Sequence, residues 1–232
     1  MRARDNGHPA LSWFHGRRIA LTGGAGFRGR VVMRKRRERG CHRVTSPRRA
    51  SCELLRWDPI EPLLDQYRPH LLLPVAATFD SRAGHRDVAE SFYNRVMMKM
   101  TQLREASRRH GLAKMICIGS ASSYAANAPV PRCEPNLFHR LPDPAHAIHG
   151  IAKRLPFIQA HAYRRQHGFD CVRLFPTDSY RLGGNFEPKT TYLIALLLRK
   201  FVPAVDTGAT EIAIGGSNCA TRDFIQAEEA TL

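Results

Sequence analysis

No apolar run in the sequence approaches the roughly 20 residues that a bilayer-spanning helix needs, so a membrane span is not expected. Met1 to Phe14 carries charge but lacks the apolar stretch of a secretory signal. Cysteine is sparse and scattered, at positions 41, 52, 117, 133, 171 and 219, with no C-x-x-C pair. That spacing argues against a zinc module or a disulfide scaffold, and for a reducing, cytoplasmic setting. Acidic residues are outnumbered, 20 against 36 basic, giving a formal charge of +16. Such a field suits a polyanion. Yet aromatics make up only 8% and do not interleave with the densest basic run, Arg34 to Arg37 with Arg39, as a base-stacking platform would require. A solvated helix face is the plainer reading of that run, and nucleic acid is not the expected partner. An anionic nucleotide would also be welcome in such a field. Internal repeats and low-complexity segments are absent.

What is present is a chain of 232 residues, 43% hydrophobic, long enough for one large domain or two small ones and able to bury a core. Residues 1–15 read as a flexible tail. From Gly16 a rhythm begins. Strands are expected over Arg18–Thr22, Cys41–Thr45, His70–Ala77, Lys114–Gly119 and Asp170–Phe175. Helices are expected over Phe27–Arg39 (stopped by Gly40), Ile60–Tyr67, Asp87–Arg109 and Ala147–His167. Strands alternating with helices imply a parallel sheet covered on both faces. Two prolines disturb the pattern. Pro74 removes a ladder donor inside an apolar strand run, and Pro156 is expected to break its helix.

The sharpest local signal is Thr22-Gly23-Gly24-Ala25-Gly26-Phe27-Arg28-Gly29, spaced G-x-x-G-x-x-G between the first strand and the first helix. In that context each glycine has a physical role. Gly23 permits a tight turn, Gly26 lets backbone approach a pyrophosphate at the helix N-terminus, and Gly29 allows close packing of helix on strand. An ordinary glycine-rich turn is the bland alternative. After the second strand, an acidic residue would favour NAD; Ser46-Pro47-Arg48-Arg49 stands there instead. Arg48 and Arg49 suit a 2′-phosphate, so NADP(H) is expected ahead of NAD(H). Two more solvated arginines in an arginine-rich chain is the competing reading.

This glycine pattern resembles the extended branch of the short-chain dehydrogenase/reductase family, the NAD-dependent epimerase/dehydratases. Further stretches narrow the resemblance to the GDP-L-fucose synthase group: Asn94–Leu103, Ile118–Tyr124, His149–Lys153, Gly184–Pro188 and Thr221–Phe224, in that family's order over about residues 16–230. The resemblance implies an α/β fold: a Rossmann-like, doubly wound parallel sheet at 16–175 that binds the dinucleotide. A small substrate lobe would follow at 176–232, expected to be incomplete because family members continue for several dozen residues. It places Gly23, Gly26, Phe27, Gly29, Arg48, Arg49, Ala76 and Lys153 at the cofactor. It places Ser122, Asn185, Lys200 and Arg222 at a GDP-linked keto-deoxyhexose. A homodimer built from the helices over Asp87–Arg109 and Ala147–His167 is implied too.

The family's Ser-Tyr-Lys catalytic set is only partly kept. Ser120 would hydrogen-bond the substrate's keto oxygen, although by itself it reads as a turn or N-cap residue. Lys153 would hold the nicotinamide ribose and lower the pKa of the proton donor. The tyrosine four residues before it is His149. The i, i+4 spacing keeps both side chains on one helix face, and imidazole can exchange protons near neutrality. It is shorter than a phenol, so impairment is expected. The family's second proton donor, a histidine, aligns with Tyr192, and its companion cysteine with Ser122. Arg181 replaces a loop glycine that faces nicotinamide or substrate, crowding that loop. Three functions stay open at this point: an NADP-dependent nucleotide-sugar epimerase/reductase impaired at His149, a weak or inactive dinucleotide-binding relative, and a basic nucleic-acid-binding protein on a reused fold.

Overall fold

The computed structural model describes residues 13–48, 50, 52–76, 89, 100–144, 147–181, 186, 193–215 and 222–231. Its main sheet holds five parallel strands: β1 (Ile19–Thr22), β2 (Val44–Thr45), β3 (Leu71–Pro74), β4 (Lys114–Ile118) and β5 (Asp170–Leu174), in the order β2-β1-β3-β4-β5. Helices α1 (Phe27–Glu38), α2 (Ile60–Tyr67), α3 (Gln102–Arg109) and α4 (Ala147–His167) connect them. A second parallel pair, β6 (Asp178–Tyr180) and β7 (Phe224–Gln226), brackets α5 (Leu193–Asp206).

The doubly wound arrangement follows from side-chain alternation along the buried strands. Ile19, Leu21, Leu71 and Leu73 point to one face, where Val32 and Met33 of α1 pack. Ala20, Leu72 and Met115 point to the other, against Ile60, Leu63 and Leu64 of α2 and Leu103 and Ala106 of α3. The i, i+3, i+4 spacing of the α2 trio is the helical counterpart of the strand's period of two. The basic last turn of α1, Lys35 to Arg37, complements its dipole, and Gly40 beyond it adopts φ +75°.

Three expectations change. The second strand shortens from Cys41–Thr45 to Val44–Thr45, since Cys41 bonds back to the carbonyl of Arg36 and is spent on ending the helix. Pro156 does not break its helix: α4 runs unbroken through it. The lost N–H costs on the order of 3 kcal/mol. Burial of Ala152, Phe157 and Ala160 on both sides of the proline offsets it. Third, Trp13 and Phe14, expected in the tail, pack on the α1-side core, with Arg17 over the Trp13 ring at 4.4 Å and Arg36 over Phe14 at 4.0 Å. Residues 1–12 lie outside the described residues, as does most of the expected helix over Asp87–Arg109.

Pro74 proves compatible with an inner strand. Val75 donates to the Thr22 carbonyl on β1, so the alternation turns position 74 toward β4. Pairing with β4 covers only Leu71 and Leu72, so no ladder bond is lost at position 74.

Among the described residues no helix is long and apolar enough to cross a membrane.

Candidate functional site

The sheet order reverses between β1 and β3, and the carboxyl ends of parallel strands at such a point form a crevice. The glycine loop lies there. Gly23 has φ +76°, and a Cβ on it would stand 2.6 Å from the backbone of Ala76, just past β3. Gly26 donates to the Gly23 carbonyl at 2.9 Å and heads α1. A Cβ on Gly29 would collide with the Gly23 carbonyl and come within 2.6 Å of Gly24 Cα. Side chains are therefore excluded where the first turn of α1 meets the loop, and helix and loop backbone pack closely there. No acidic residue occupies the first turn. Such an end attracts an anion, and phosphate groups above all.

Ser46 belongs to this cradle and was not singled out from the sequence. Its Oγ accepts from the Gly24 N–H at 3.0 Å, fixing the loop to the end of β2. The usable signal was a small hydroxyl residue one step past the second strand. Arg48 follows and is exposed. Arg49 lies outside the described residues.

At the end of β4 the chain enters a 3₁₀ turn over Ala121–Ser123. Ser120 caps it: its Oγ accepts from the Ser122 N–H at 3.4 Å and lies 2.8 Å from the Ser122 hydroxyl. The turn role weighed for Ser120 is thus present, and it aims the hydroxyl at the same time. Lys153, on α4, donates from Nζ to the carbonyl of Ile118 at 3.2 Å, which brings its ammonium to the strand end that carries Ser120. The close approach of α4 depends on Gly150, where a Cβ would strike the Ser122 carbonyl and lie 2.7 Å from Pro142. His149 precedes that glycine and is partly buried.

Arg154 is a second residue that sequence reasoning missed. It is buried, and its Nε donates to the Ser123 carbonyl at 2.6 Å, supporting the turn from beneath. Burial lowers its pKa. Deeper still, Arg104 is fully buried with Nη2 2.7 Å from Cys117 Sγ, and Cys117 Sγ is 3.2 Å from Cys171 Sγ. The Cys171 hydrogen bond, with Arg104 behind it, holds the Cys117 thiol down to about 7 despite desolvation, while Cys171 is pushed up. The Cys171 hydrogen bond and the guanidinium thus both favour ionisation of Cys117 over that of Cys171.

The remaining predicted positions divide. Arg222 pairs with Asp178 at 3.5 Å, tying β7 to β6. Lys200, on the exposed α5, gives its Nζ to the Ala213 carbonyl at 2.7 Å. Asn185 and Tyr192 lie outside the described residues. Arg181 reaches the head of α1, where Nη1 donates to the Phe27 carbonyl at 3.0 Å and the guanidinium lies 5.4 Å from the Phe27 ring centre. A cavity of about 390 Å³, lined by Arg18, His42, Arg43 and Tyr67 among others, opens at the opposite, amino-terminal edge of the sheet and takes no part in this geometry.

A doubly wound parallel sheet, with a glycine loop at the head of its first helix and a lysine and a serine at the neighbouring strand end, makes the chain a Rossmann-like α/β protein. The chain belongs to the NAD dependent epimerase/dehydratase family, whose model matches residues 19–231. It is 26% identical over 212 residues to GDP-L-fucose synthase 1 of Arabidopsis thaliana, covering 91% of this chain and 66% of that protein. With the GDP-L-fucose synthase of Escherichia coli strain K12 it shares 24% over 212 residues, again 91% of this chain and 66% of the relative. The chain thus spans just under two thirds of the length of these relatives. The fold is similar to that of a GDP-L-fucose synthetase from Naegleria fowleri solved with NADP bound, at a TM-score of 0.79 and 20% identity over 94% of this chain and 71% of that one. A GDP-D-glycero-L-gluco-heptose synthase from Campylobacter jejuni, solved in the presence of NADPH, gives 0.83 at 19% identity, over 94% of this chain and 72% of the other.

Proposed function

We propose that this chain binds NADP(H) at the glycine loop and works as a nucleotide-sugar epimerase/reductase on a GDP-linked keto-deoxyhexose, with its proton-transfer step impaired. The observation that carries the reading is the loop itself: Gly23 and Gly29 let backbone pack where any Cβ would collide, at the head of a helix without an acidic first turn. The absence of an acidic residue after β2, with Arg48 in its place, supports the 2′-phosphorylated cofactor. The relatives' names, GDP-L-fucose synthase, support the substrate class.

Gly23, Gly26 and Gly29 would let the cofactor's diphosphate meet the backbone, and Ala76 would line its floor. When bound, the nicotinamide supplies a hydride for the substrate's keto carbon. Ser120 orients the keto oxygen through its hydroxyl. Lys153, anchored on Ile118, holds the ribose and keeps positive charge beside the reacting oxygen. His149, one turn earlier on α4, transfers the proton at a reach shorter than a phenol's. Tyr192, a phenol where the family has an imidazole, and Ser122, in place of a thiol, are slow proton exchangers for epimerisation. Exposed Ile148 and Ile158 on α4 support pairing of two copies along that helix.

Titration of the purified chain with NADPH and NADH, following nicotinamide fluorescence, tests the binding step. Saturable binding with NADPH preferred is expected. A folded chain that binds neither would overturn the reading.

A further inference from the structure

The cavity of about 390 Å³ at the amino-terminal edge of the sheet lies apart from the glycine loop, and the function proposed above makes no use of it. It opens between the start of the edge strand β2 and the last turn of α2. Its lining gathers three basic side chains, Arg18, His42 and Arg43, beside Gln66 and Tyr67. The volume is that of a small-molecule site, for which about 300–1,000 Å³ is usual. No carboxylate is among its described lining residues. Asp65, the acidic residue next to Gln66 on α2, pairs with His110 at 3.1 Å instead. His42 and Arg43 are both exposed and so open to solvent-borne ligands.

One of these cations is fixed by the fold itself. Arg18 Nε donates to the carbonyls of Tyr67 at 3.0 Å and Arg68 at 2.7 Å, and the Arg18 backbone N–H donates to His70 Nδ1 at 3.0 Å. Arg68 ends α2 in the left-handed region, at φ +40°, a conformation that costs a residue with a Cβ on the order of 1 kcal/mol. That strained residue, between the lining residues Tyr67 and Pro69, is the one that turns its carbonyl onto Arg18. Anchoring one edge of the guanidinium reduces the rotamer entropy lost when its remaining N–H groups meet a ligand. The local field is positive. Burial first, and then the charges of Arg18 and Arg17, push the His70 imidazole below its ordinary pKa.

We propose that this cavity is a second ligand site, separate from the glycine loop, that binds a phosphate group, free or carried on a small monoester. Arg18 and Arg43 supply guanidinium forks that match phosphate oxygens, and His42 supplies a further N–H donor. Three basic groups without a lining carboxylate favour a dianion over a singly charged carboxylate. Tyr67 and Pro69 offer an apolar wall to whatever the phosphate carries. The site stands whether or not the glycine loop takes a dinucleotide.

The test titrates the whole chain by calorimetry with inorganic phosphate and with adenosine monophosphate, in a phosphate-free buffer. Both titrations are repeated with Arg43→Gln and with Arg165→Gln. Arg165 is exposed in the last turn of α4, which leads into β5 at the opposite edge of the sheet, so its loss removes an equal charge far from the cavity. Saturable phosphate binding is expected. Arg43→Gln should raise the Kd about tenfold, the range of a charge-assisted hydrogen bond. Arg165→Gln should leave it within about twofold, because salt screens a charge at that distance. Adenosine monophosphate that binds more tightly than phosphate and responds equally to Arg43→Gln would assign the site to an ester. A nucleotide that binds no better, or ignores Arg43→Gln, would assign it to free phosphate. Failure of the unaltered, folded chain to bind phosphate saturably would overturn the proposal. So would a phosphate Kd that Arg43→Gln leaves unchanged, or that both substitutions raise equally. A chain that binds phosphate here but no NADPH would remove the dinucleotide reading alone.

Discussion

Cys117→Ser is the most informative single substitution for the interior. It keeps the volume and removes the charge. Arg104 is completely buried, with Nη2 on Cys117 Sγ at 2.7 Å and Nη1 on Gln159 Oε1. A guanidinium stays protonated at any ordinary pH, so it favours the ionised form of Cys117 beside it. The groups facing this thiolate are Arg104 from α3, Lys153 from α4 and the Cys171 thiol from β5. The drop from an ordinary 9.0 to about 7, at 1.36 kcal/mol for each tenfold change, corresponds to about 3 kcal/mol. Loss of one partner from a buried ion pair leads independently to about 3–5 kcal/mol. The sign follows from a depressed acid: the contribution is fully present above pH 9 and is lost as pH falls through about 7. Urea unfolding at pH 9 should therefore show Cys117→Ser about 3 kcal/mol less stable than the unaltered chain, with the two converging below pH 7. Ultraviolet absorption of the thiolate should disappear in the same variant. A loss under about 1 kcal/mol at pH 9, with an unchanged slope between pH 7 and 9, would refute the pairing of this thiolate with Arg104.

Gly29→Ala should destabilise by about 1–3 kcal/mol and weaken NADPH binding, because its methyl meets the Gly23 carbonyl; an unchanged thermal midpoint and Kd would contradict the packing role. His149→Tyr, which restores a phenol beside Lys153, should raise NADPH-dependent turnover of a GDP-keto-sugar at least tenfold on the scale of general acid catalysis; a rate equal to the unaltered chain's would make His149 a bystander. Glu105 is held down to about 2, first by its bond to Arg108 and also by Arg109 and Tyr163. Its contribution is complete above pH 4.5 and is lost toward pH 2, so Glu105→Gln should flatten the acid limb of a thermal-denaturation profile; an identical limb would refute it. Arg154→Met should lower stability and turnover together by freeing the Ser123 carbonyl beneath the Ser120 turn; a normal Kd for NADPH alongside would separate that turn from the glycine loop.

Much of this protein was legible in the chain itself, because the deciding physics is local. The alternation in Ile19 to Leu21 and Leu71 to Leu73, the apolar trio of α2 and the glycine spacing at 23, 26 and 29 all act within a few residues. Each dictates an element or a cradle whatever surrounds it. The i, i+4 relation of His149 and Lys153 is equally local. The tertiary structure decided what depends on residues far apart. Pro156 stays helical because both its flanks are buried, a fact about neighbours and not about proline. Ser46 closes the loop only because β2 lies beside β1. Arg104 meets sulfur partners only because two strands bring Cys117 and Cys171 together beneath α3. Arg181 reads as a damaged glycine position until the β6–β7 ribbon carries it across 154 residues to the head of α1. Short-range pattern fixes where elements form; long-range packing fixes which charges meet.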